Sequence, residues 1–158
     1  MFDHVNTDLT SDRSVALLAS LVGFYLGSRG DFKGQEYWNI MCLEIDQRVR
    51  GEEHPDTATS YNNVAQNLDA QGRYEEAEPL YQRALEILQH VHGEDHPNTA
   101  SSYNNVASNL DAQGRYKEAE QLYHRGLGIR RRTLGEKHSD TAASYNNCLL
   151  YTSDAADE

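Results

Sequence analysis

The sequence predicts an all-α solenoid built of antiparallel helical hairpins. One segment recurs at a fixed spacing of 42 residues, because Gly51–Pro55 returns as Gly93–Pro97 and, weakened, as Gly135–Ser139. Residues 51–92 and 93–134 are identical at 28 of 42 positions, so they are copies of one unit. Each copy also carries two apolar helical stripes with a glycine between them. A period of this length marks stacked units that cannot bury their apolar faces alone.

The repeat at 51–92 shows both stripes. Pro55 suits the first turn of a helix, where its missing N–H costs nothing. Apolar residues then recur at steps of three and four, at Ala58, Tyr61, Val64, Ala65 and Leu68. Gly72 can take a positive φ at the end of that helix. The second stripe comprises Tyr74, Ala77, Leu80, Tyr81, Ala84, Leu85, Ile87 and Leu88.

The same spacing divides the whole chain. Hairpins are predicted at about 11–49, 55–91 and 97–133, with a further helix from about 139. The corresponding divisions are a disordered N-terminus at 1–8, a degenerate repeat at 9–50, full repeats at 51–92 and 93–134, and the start of a truncated repeat at 135–147.

Two segments differ from the repeat pattern at 51–92, and each leads to a separate prediction. Gly126 and Gly128 replace Ala84 and Glu86 of the first full copy, and a glycine inside a helix costs roughly 1 kcal/mol. The second helix of that repeat should therefore be the less stable one. In the degenerate repeat, the apolar stretch 15–26 is too short to span a bilayer and is interpreted as a buried helix.

Composition narrows the possible partners. The formal charge of −11 leaves no basic stripe to neutralise phosphates, which argues against a nucleic-acid partner. No membrane span or targeting signal is visible. Cys42 and Cys148 form no disulfide framework and fit a reducing compartment, so a cytoplasmic location is expected.

The pattern of glycine, aromatic and small residues resembles the tetratricopeptide repeat. The 42-residue period, the loop sequence GEEHPDTA and the helix sequence SYNNVA resemble the kinesin light chain subtype, over about 9–147. The resemblance implies a right-handed superhelix that binds a peptide or protein segment in a concave groove. It places the groove residues on the first helix of each hairpin, at Thr59, Asn62, Asn63, Gln66, Ser101, Asn104, Asn105 and Ser108.

Asparagine suits such a wall because its amide both donates and accepts hydrogen bonds. The alternative is that one asparagine of each pair only solvates the helix or caps nearby backbone. In the degenerate repeat the same positions would make that end apolar, at Leu17, Ser20, Leu21 and Phe24. The groove lacks the paired lysine and arginine with which some relatives clamp a carboxylate.

No pattern for catalysis, a cofactor or a metal is present, so the chain is interpreted as a non-enzyme. His92 and His96 have a metal-like spacing, but Gly93 and Pro97 put them in a loop. The recurring histidines before Pro55 and Pro97 indicate loop packing or capping instead. The basic run 130–132 is expected to complement a helix C-terminus.

Three functions stay open. The first is a protein-binding scaffold, as part of a longer array. The second is a regulatory array in a larger protein that carries a nucleotide-hydrolysing or other catalytic domain. The third is self-association through exposed repeat ends, since helix 116–132 would lose its neighbour and leave an apolar face bare.

The last residues break the repeat pattern after Asn147. Thr152 stands where an apolar residue is expected, and Ala156 replaces the turn glycine. The string CLLYTSDAAD resembles one reading frame of the transposon-end adapter used in sequencing libraries. Residues 148–158 are therefore predicted to be an adapter-derived, non-native tail.

Overall fold

The computed structural model describes residues 9–152, which form seven α-helices and no strand. They are α1 (Leu9–Ser28), α2 (Phe32–Arg50), α3 (Pro55–Ala70), α4 (Tyr74–His92), α5 (Pro97–Ala112), α6 (Tyr116–Leu134) and α7 (Ser139–Thr152). Helices α1 to α6 pair as three consecutive hairpins, each hairpin packs on the next, and α7 packs on α6. The predicted all-α solenoid and its hairpins are confirmed.

Two predictions concern the ends of the chain, the disorder of 1–8 and the non-native origin of 148–158. The disorder predicted for 1–8 lies outside the described residues, as do residues 153–158 of the predicted tail. Residues 148–152 continue α7, and Cys148 is buried there. The non-native origin of 148–158 stays a prediction.

A glycine closes each hairpin turn. Gly72 has a φ of 74°, which a side chain would strain, and its N–H donates to the carbonyl of Asp69 at 2.9 Å. The next N–H, that of Arg73, reaches back to the carbonyl of Leu68 at 2.9 Å. These two bonds satisfy carbonyls that the end of α3 would otherwise leave unpaired.

A histidine caps the start of each later first helix. His54 Nδ1 accepts a hydrogen bond from the backbone N–H of Asp56 at 3.1 Å, and His96 and His138 accept from the N–H two residues on. Each contact pairs a donor that the first helical turn leaves unsatisfied. The capping role predicted from the recurrence of these histidines is confirmed.

Small residues lie where the helices of a hairpin pack closely. Ala65 and Ala77 are fully buried between α3 and α4, as are Ala107 and Ala119 between α5 and α6. One continuous core runs from Leu43 on α2, through the second and third hairpins, to Cys148 on α7. The small alanine side chains therefore allow the two helices of each hairpin to approach closely.

Buried asparagines link each hairpin to the one before it. Asn67 Nδ2 donates to the carbonyl of Phe32 at 3.1 Å. One repeat later, Asn109 Nδ2 donates to the carbonyl of Tyr74 at 3.0 Å and to Asp69 Oδ1 at 2.7 Å. Both asparagines are buried, so these bonds fix the register between neighbouring hairpins.

Ion pairs extend this link at the surface. Arg73 contacts Glu36 of the preceding hairpin at 2.9 Å, and Arg115 contacts Glu78 at 2.8 Å. The hydrogen bond from Gln71, followed by the contacts with Arg73, holds the pKa of Glu36 below its usual value. A lowered pKa adds stability above the ordinary carboxyl range, and that stability is lost as pH falls.

Helix α1 departs from its prediction. The stretch 15–26 was expected to be buried, but Leu17 and Leu18 are 64% and 61% exposed, and Phe24 is 76% exposed. Ala19 is fully buried on the side that faces α2. The prediction failed because hydrophobicity marks a residue that can be buried, whereas burial needs neighbours on more than one side.

Helix α6 is more buried than predicted, whereas α1 is less buried. It was expected to leave an apolar face bare, but α7 packs against it. Leu127 and Ile129 are buried in the shared core with Cys148. Tyr116, at the first turn, is the large apolar residue of α6 that stays exposed among the described side chains.

The two glycines of α6 provide a matched pair of substitutions. Gly128→Ala should stabilise the fold by about 1 kcal/mol, because the new Cβ would meet only Arg132 Nη1, at 3.5 Å. Gly126→Ala should gain nothing, since its Cβ would lie 2.6 Å from Asn104 Oδ1 and 3.1 Å from the Ala100 carbonyl. Urea unfolding followed by circular dichroism measures both. An equal gain at both positions would show that Asn104 does not hold that space.

Candidate peptide-binding groove

The predicted groove residues lie on one side of α3 and α5. This groove face carries five exposed side chains, Thr59, Asn63, Gln66, Ser101 and Ser108. Three more are half-buried, Asn62, Asn104 and Asn105. Their spacing of three and four residues puts them on one side of each helix. The face therefore presents hydroxyl and amide groups.

A cleft between α3 and α5 brings half of these residues together. Thr59, Asn62, Ser101 and Asn105 line it, and the side chain of Leu88 from α4 closes its floor. Asn105 Nδ2 lies 3.5 Å from Asn62 Oδ1, so the amides of neighbouring repeats meet across the cleft. The remaining amide atoms, Asn105 Oδ1 and Asn62 Nδ2, make no hydrogen bond with the described residues.

A second cleft lies between the first hairpin and α3. Its walls include Asn63 and Gln66 on one side and Ser20 and Phe24 on the other. Asn39 Nδ2 donates to the carbonyl of Asn63 at 3.0 Å and so holds α3 in place at this point. The apolar end predicted for the degenerate repeat is present, because Phe24 projects into solvent here.

Asn104 occupies a different environment from the other groove residues. Its Nδ2 lies 3.5 Å from Ser144 Oγ on α7, and its Oδ1 is buried with no hydrogen-bond partner among the described residues. Gly126 of α6 provides the space for this amide. The corresponding residue of the preceding repeat is Ala84, so the glycine allows the Asn104 amide to pack against α6 and α7.

Arg130 reaches the groove face, a position that was not predicted from the sequence. Its guanidinium donates to Ser101 Oγ at 3.1 Å and to Ser144 Oγ at 2.6 Å. A third bond reaches the carbonyl of Asp140 at 3.2 Å. Burial lowers the pKa of the Arg130 guanidinium from its usual value. One cation therefore borders Ser101, whereas the expected groove was built of neutral polar groups alone.

The position of Arg130 at the groove could have been inferred from the 42-residue repeat. Position 130 corresponds to Leu88, which is buried at the floor of the cleft between α3 and α5. A cation at that register position must also lie at the base of a groove cleft. Its neighbours Arg131 and Arg132 instead pair at the surface with Glu136 and Asp95, so the three arginines do different things.

The described residues give no sign of a reactive centre. Among them, no group of three or more histidine, cysteine or acidic side chains could hold a metal ion. No helix in that part of the chain is both long and apolar enough to cross a bilayer. The shifted carboxyl pKa values belong to contacts within and between repeats that hold the array together. Burial, for example, raises the pKa of Asp69, which accepts from Asn109 and Tyr81.

Comparison with known proteins agrees with this architecture. The family model described as "Tetratricopeptide repeat" matches residues 14–90 and 68–132. Tetratricopeptide repeat protein 19, mitochondrial, from Homo sapiens is 44% identical over 43 residues, which are 27% of this chain and 11% of that protein.

Solved structures resemble the fold over most of the chain. BtubC (BKLC) from P. vanneervenii matches with a TM-score of 0.82 at 24% identity, covering 92% of this chain and 58% of that one. A putative kinesin light chain from Podosopora anserina with nearly identical TPR-like repeats matches with a TM-score of 0.75 at 22% identity, covering 90% and 65%. This chain thus spans less than two thirds of these relatives. With the family model matching well over half of its residues, the chain belongs to the tetratricopeptide repeat family.

Proposed function

We propose that the groove face binds an extended segment of a peptide or protein. Tetratricopeptide repeats generally mediate protein–protein interaction. The supporting observation is the contact between Asn105 Nδ2 and Asn62 Oδ1, which joins the amides of neighbouring repeats in one cleft. A row of such amides offers donors and acceptors in alternation, and the backbone of an extended peptide requires both.

The surrounding residues suit a polar ligand backbone. Thr59 and Ser101 add hydroxyl groups to the same cleft, and Leu88 supplies an apolar floor of limited size. Arg130, held by Ser101 and Ser144, sits at the border of the next cleft along the array. We infer that ligand main chain contributes much of the affinity and that side-chain selection comes from the borders of the groove.

The test uses two asparagines at one register position. Asn63→Ala with Asn105→Ala in the full chain removes one amide from each cleft and leaves the buried core unchanged. Each lost hydrogen bond should cost roughly 0.5–1.5 kcal/mol, so binding should weaken by roughly 5- to 150-fold. Peptides first selected from a random display library on the parent chain provide the ligands for titration calorimetry. Asn104 is left unchanged because its amide packs between α6 and α7.

A matched variant controls for the loss of any surface amide. Gln82→Ala with Gln121→Ala removes two exposed amides from the second helices, away from the groove face, and should leave the affinity unchanged. If the Asn63/Asn105 variant binds the selected peptides as tightly as the parent, the groove assignment is wrong. The acidic outer surface and the histidine–proline loops would then be the places to search.

A further inference from the structure

The segment that joins α4 to α5 contains two stacked histidines. The ring centroids of His92 and His96 lie 4.3 Å apart, with 18° between the ring planes. His96 Nδ1 also accepts the backbone N–H of Asn98 at 3.1 Å and thereby caps the start of α5. Because a backbone N–H only donates, this cap requires that His96 Nδ1 carries no proton. The cap of α5 therefore depends on a neutral imidazole.

The loop before α3, one repeat earlier, has permanent charges at the two positions that flank its cap. Arg50 and Asp56 occupy the register of His92 and Asn98, and they form an ion pair. The capping residue there is His54, whose Nδ1 lies 3.8 Å from Asp56 Oδ2. A proton on that imidazole would remove the cap but gain an adjacent carboxylate, so its protonation is compensated electrostatically.

The loop before α7 also keeps a carboxylate beside its capping histidine. His138 Nδ1 lies 3.9 Å from Asp140 Oδ2. The first turn of α5 has no acidic residue, because Asn98 stands at the register of Asp56 and Asp140. Of the three capping histidines in the described part of the chain, His96 is thus the one without a carboxylate in the first turn that it caps.

The two acidic residues of the loop between α4 and α5 are engaged elsewhere. Glu94 Oε1 accepts the hydroxyl of Tyr103 at 2.7 Å, and Asp95 forms an ion pair with Arg132 of α6. The stacked imidazole from α4 can itself gain a positive charge in acid. A proton on His96 would therefore lie beside a second base and at the positive end of the α5 dipole, and both arrangements are unfavourable.

We propose that the junction between α4 and α5 is sensitive to acid, and that protonation of His96 frees the first turn of α5 and weakens ligand binding in the groove. Loss of the cap would leave the N–H of Asn98 unpaired. Asn98 and Ser101 line the cleft between α3 and α5, so a frayed first turn would change the wall of that cleft. Asp56 of α3 borders the same cleft and is already paired with Arg50. The effect on binding rests on the proposed function of the groove, whereas the effect on stability does not.

Acid should destabilise the fold through His96. The unfolded chain allows this imidazole to bind a proton freely, whereas the capped fold opposes it. Where the unfolded state binds more protons than the folded state, stability falls as pH falls. The loss should occur between about pH 7.5 and 5.5, where histidine ordinarily changes its charge and most carboxylates remain ionised.

Urea unfolding of the full chain, followed by circular dichroism at about pH 7.5 and 5.5, measures this loss. His96→Asn keeps a side-chain oxygen that can cap α5 and removes the group that titrates. Between the two pH values, the ratio of folded to unfolded chain should fall roughly three- to fivefold more for the parent than for His96→Asn. His54→Asn is the matched control, because Asp56 compensates a proton on His54, and this variant should lose stability in acid as the parent does.

Asn98→Asp tests the missing carboxylate directly. It places an acid at the register of Asp56 and Asp140, so protonated His96 gains a partner and the loss in acid should be smaller than in the parent. The new aspartate stays largely ionised at about pH 5.5, so its own titration contributes little. The proposal is wrong if His96→Asn loses as much stability in acid as the parent, if His54→Asn reduces the loss equally, or if Asn98→Asp leaves it unchanged.

Titration calorimetry measures the effect on binding, with groove peptides that contain no histidine, aspartate or glutamate and were selected on the parent at about pH 7.5. Their affinity for the parent should fall roughly three- to fivefold at about pH 5.5, and their affinity for His96→Asn should stay constant. A constant affinity for the parent would contradict the link between the cap and the cleft. Peptides that bind the Asn63/Asn105 variant as tightly as the parent would instead contradict the groove itself, and the acid effect on stability would stand without it.

Discussion

Replacing Asn109 by aspartate should lower the free energy of unfolding by about 3 kcal/mol at pH 7. Asn109 is completely buried, and its Nδ2 donates to Asp69 Oδ1 at 2.7 Å and to the carbonyl of Tyr74 at 3.0 Å. An aspartate at this position has no donor when ionised. It would place a second carboxylate against Asp69 and leave the Tyr74 carbonyl without its partner.

The cost should depend on pH. Two carboxylates at hydrogen-bond distance cannot both ionise freely, so the folded state of the variant should have a raised carboxyl pKa. Burial already raises the pKa of Asp69 in the parent. A raised pKa in the folded state means that stability is retained below the unfolded pKa and is lost as pH rises through the folded value. The difference between parent and variant should therefore shrink between pH 7 and pH 4.

Urea unfolding at both pH values, followed by circular dichroism, measures this difference directly. The parent itself loses stability in acid because the pKa of Glu36 is lowered, so each variant is compared with the parent at the same pH. Asn105→Asp is the control, since it makes the same chemical change four residues earlier on α5, at a half-buried groove position. A destabilisation that is equal for both variants, or that does not change with pH, would rule out a buried Asn109–Asp69 contact as the cause.

The hairpins could be predicted from the sequence because the residues that indicate them lie within one repeat. Gly72 marks a turn through its own backbone conformation, and the apolar stripes on either side show which faces of the two helices meet. His54 and its two repeats could also be recognised as caps, since a cap acts on the helix that follows it. Each of these features depends on residues within one repeat.

Contacts between repeats were harder to predict. Asn67 and Asn109 read as ordinary polar residues of a helix, and only the packing of the preceding hairpin buries them. Arg130 was assigned to a helix terminus, although it extends to Ser101 on α5. The extent of a long side chain across two helices depends on how the hairpins are stacked, which the pattern within one repeat does not encode.

The exposure of α1 was missed for a related reason. Leu18 and Tyr25 look like core residues in the sequence, and at the same register in α5 the smaller Ser102 and Asn109 are indeed buried. Whether a register position is covered depends on the elements that pack beside the helix. The exposed side of α1 could be recognised only by comparing its residues with those at the same register in α3 and α5, and that comparison needs the burial of each position as well as the sequence.

Replacing Ala107 by leucine should destabilise the fold by about 1–3 kcal/mol. Ala107 is fully buried where α5 packs against α6, next to the equally buried Ala119. Three additional carbons at this point require the two helices to separate or neighbouring side chains to leave their preferred rotamers, since the interior is already close-packed. Because α6 also packs on α7, a displaced α6 would loosen a second interface of the array.

Ala112→Leu is the matched control on the same helix. Ala112 is exposed in the last turn of α5, so the same change adds apolar surface without filling a packed space, and should alter stability by less than about 0.5 kcal/mol. Urea unfolding of both variants separates overpacking from any general effect of leucine in this helix. Equal stability for the two variants would mean that α5 and α6 tolerate a larger separation than the burial of Ala107 and Ala119 implies. The close approach of helices within each hairpin would then not be what these alanines provide.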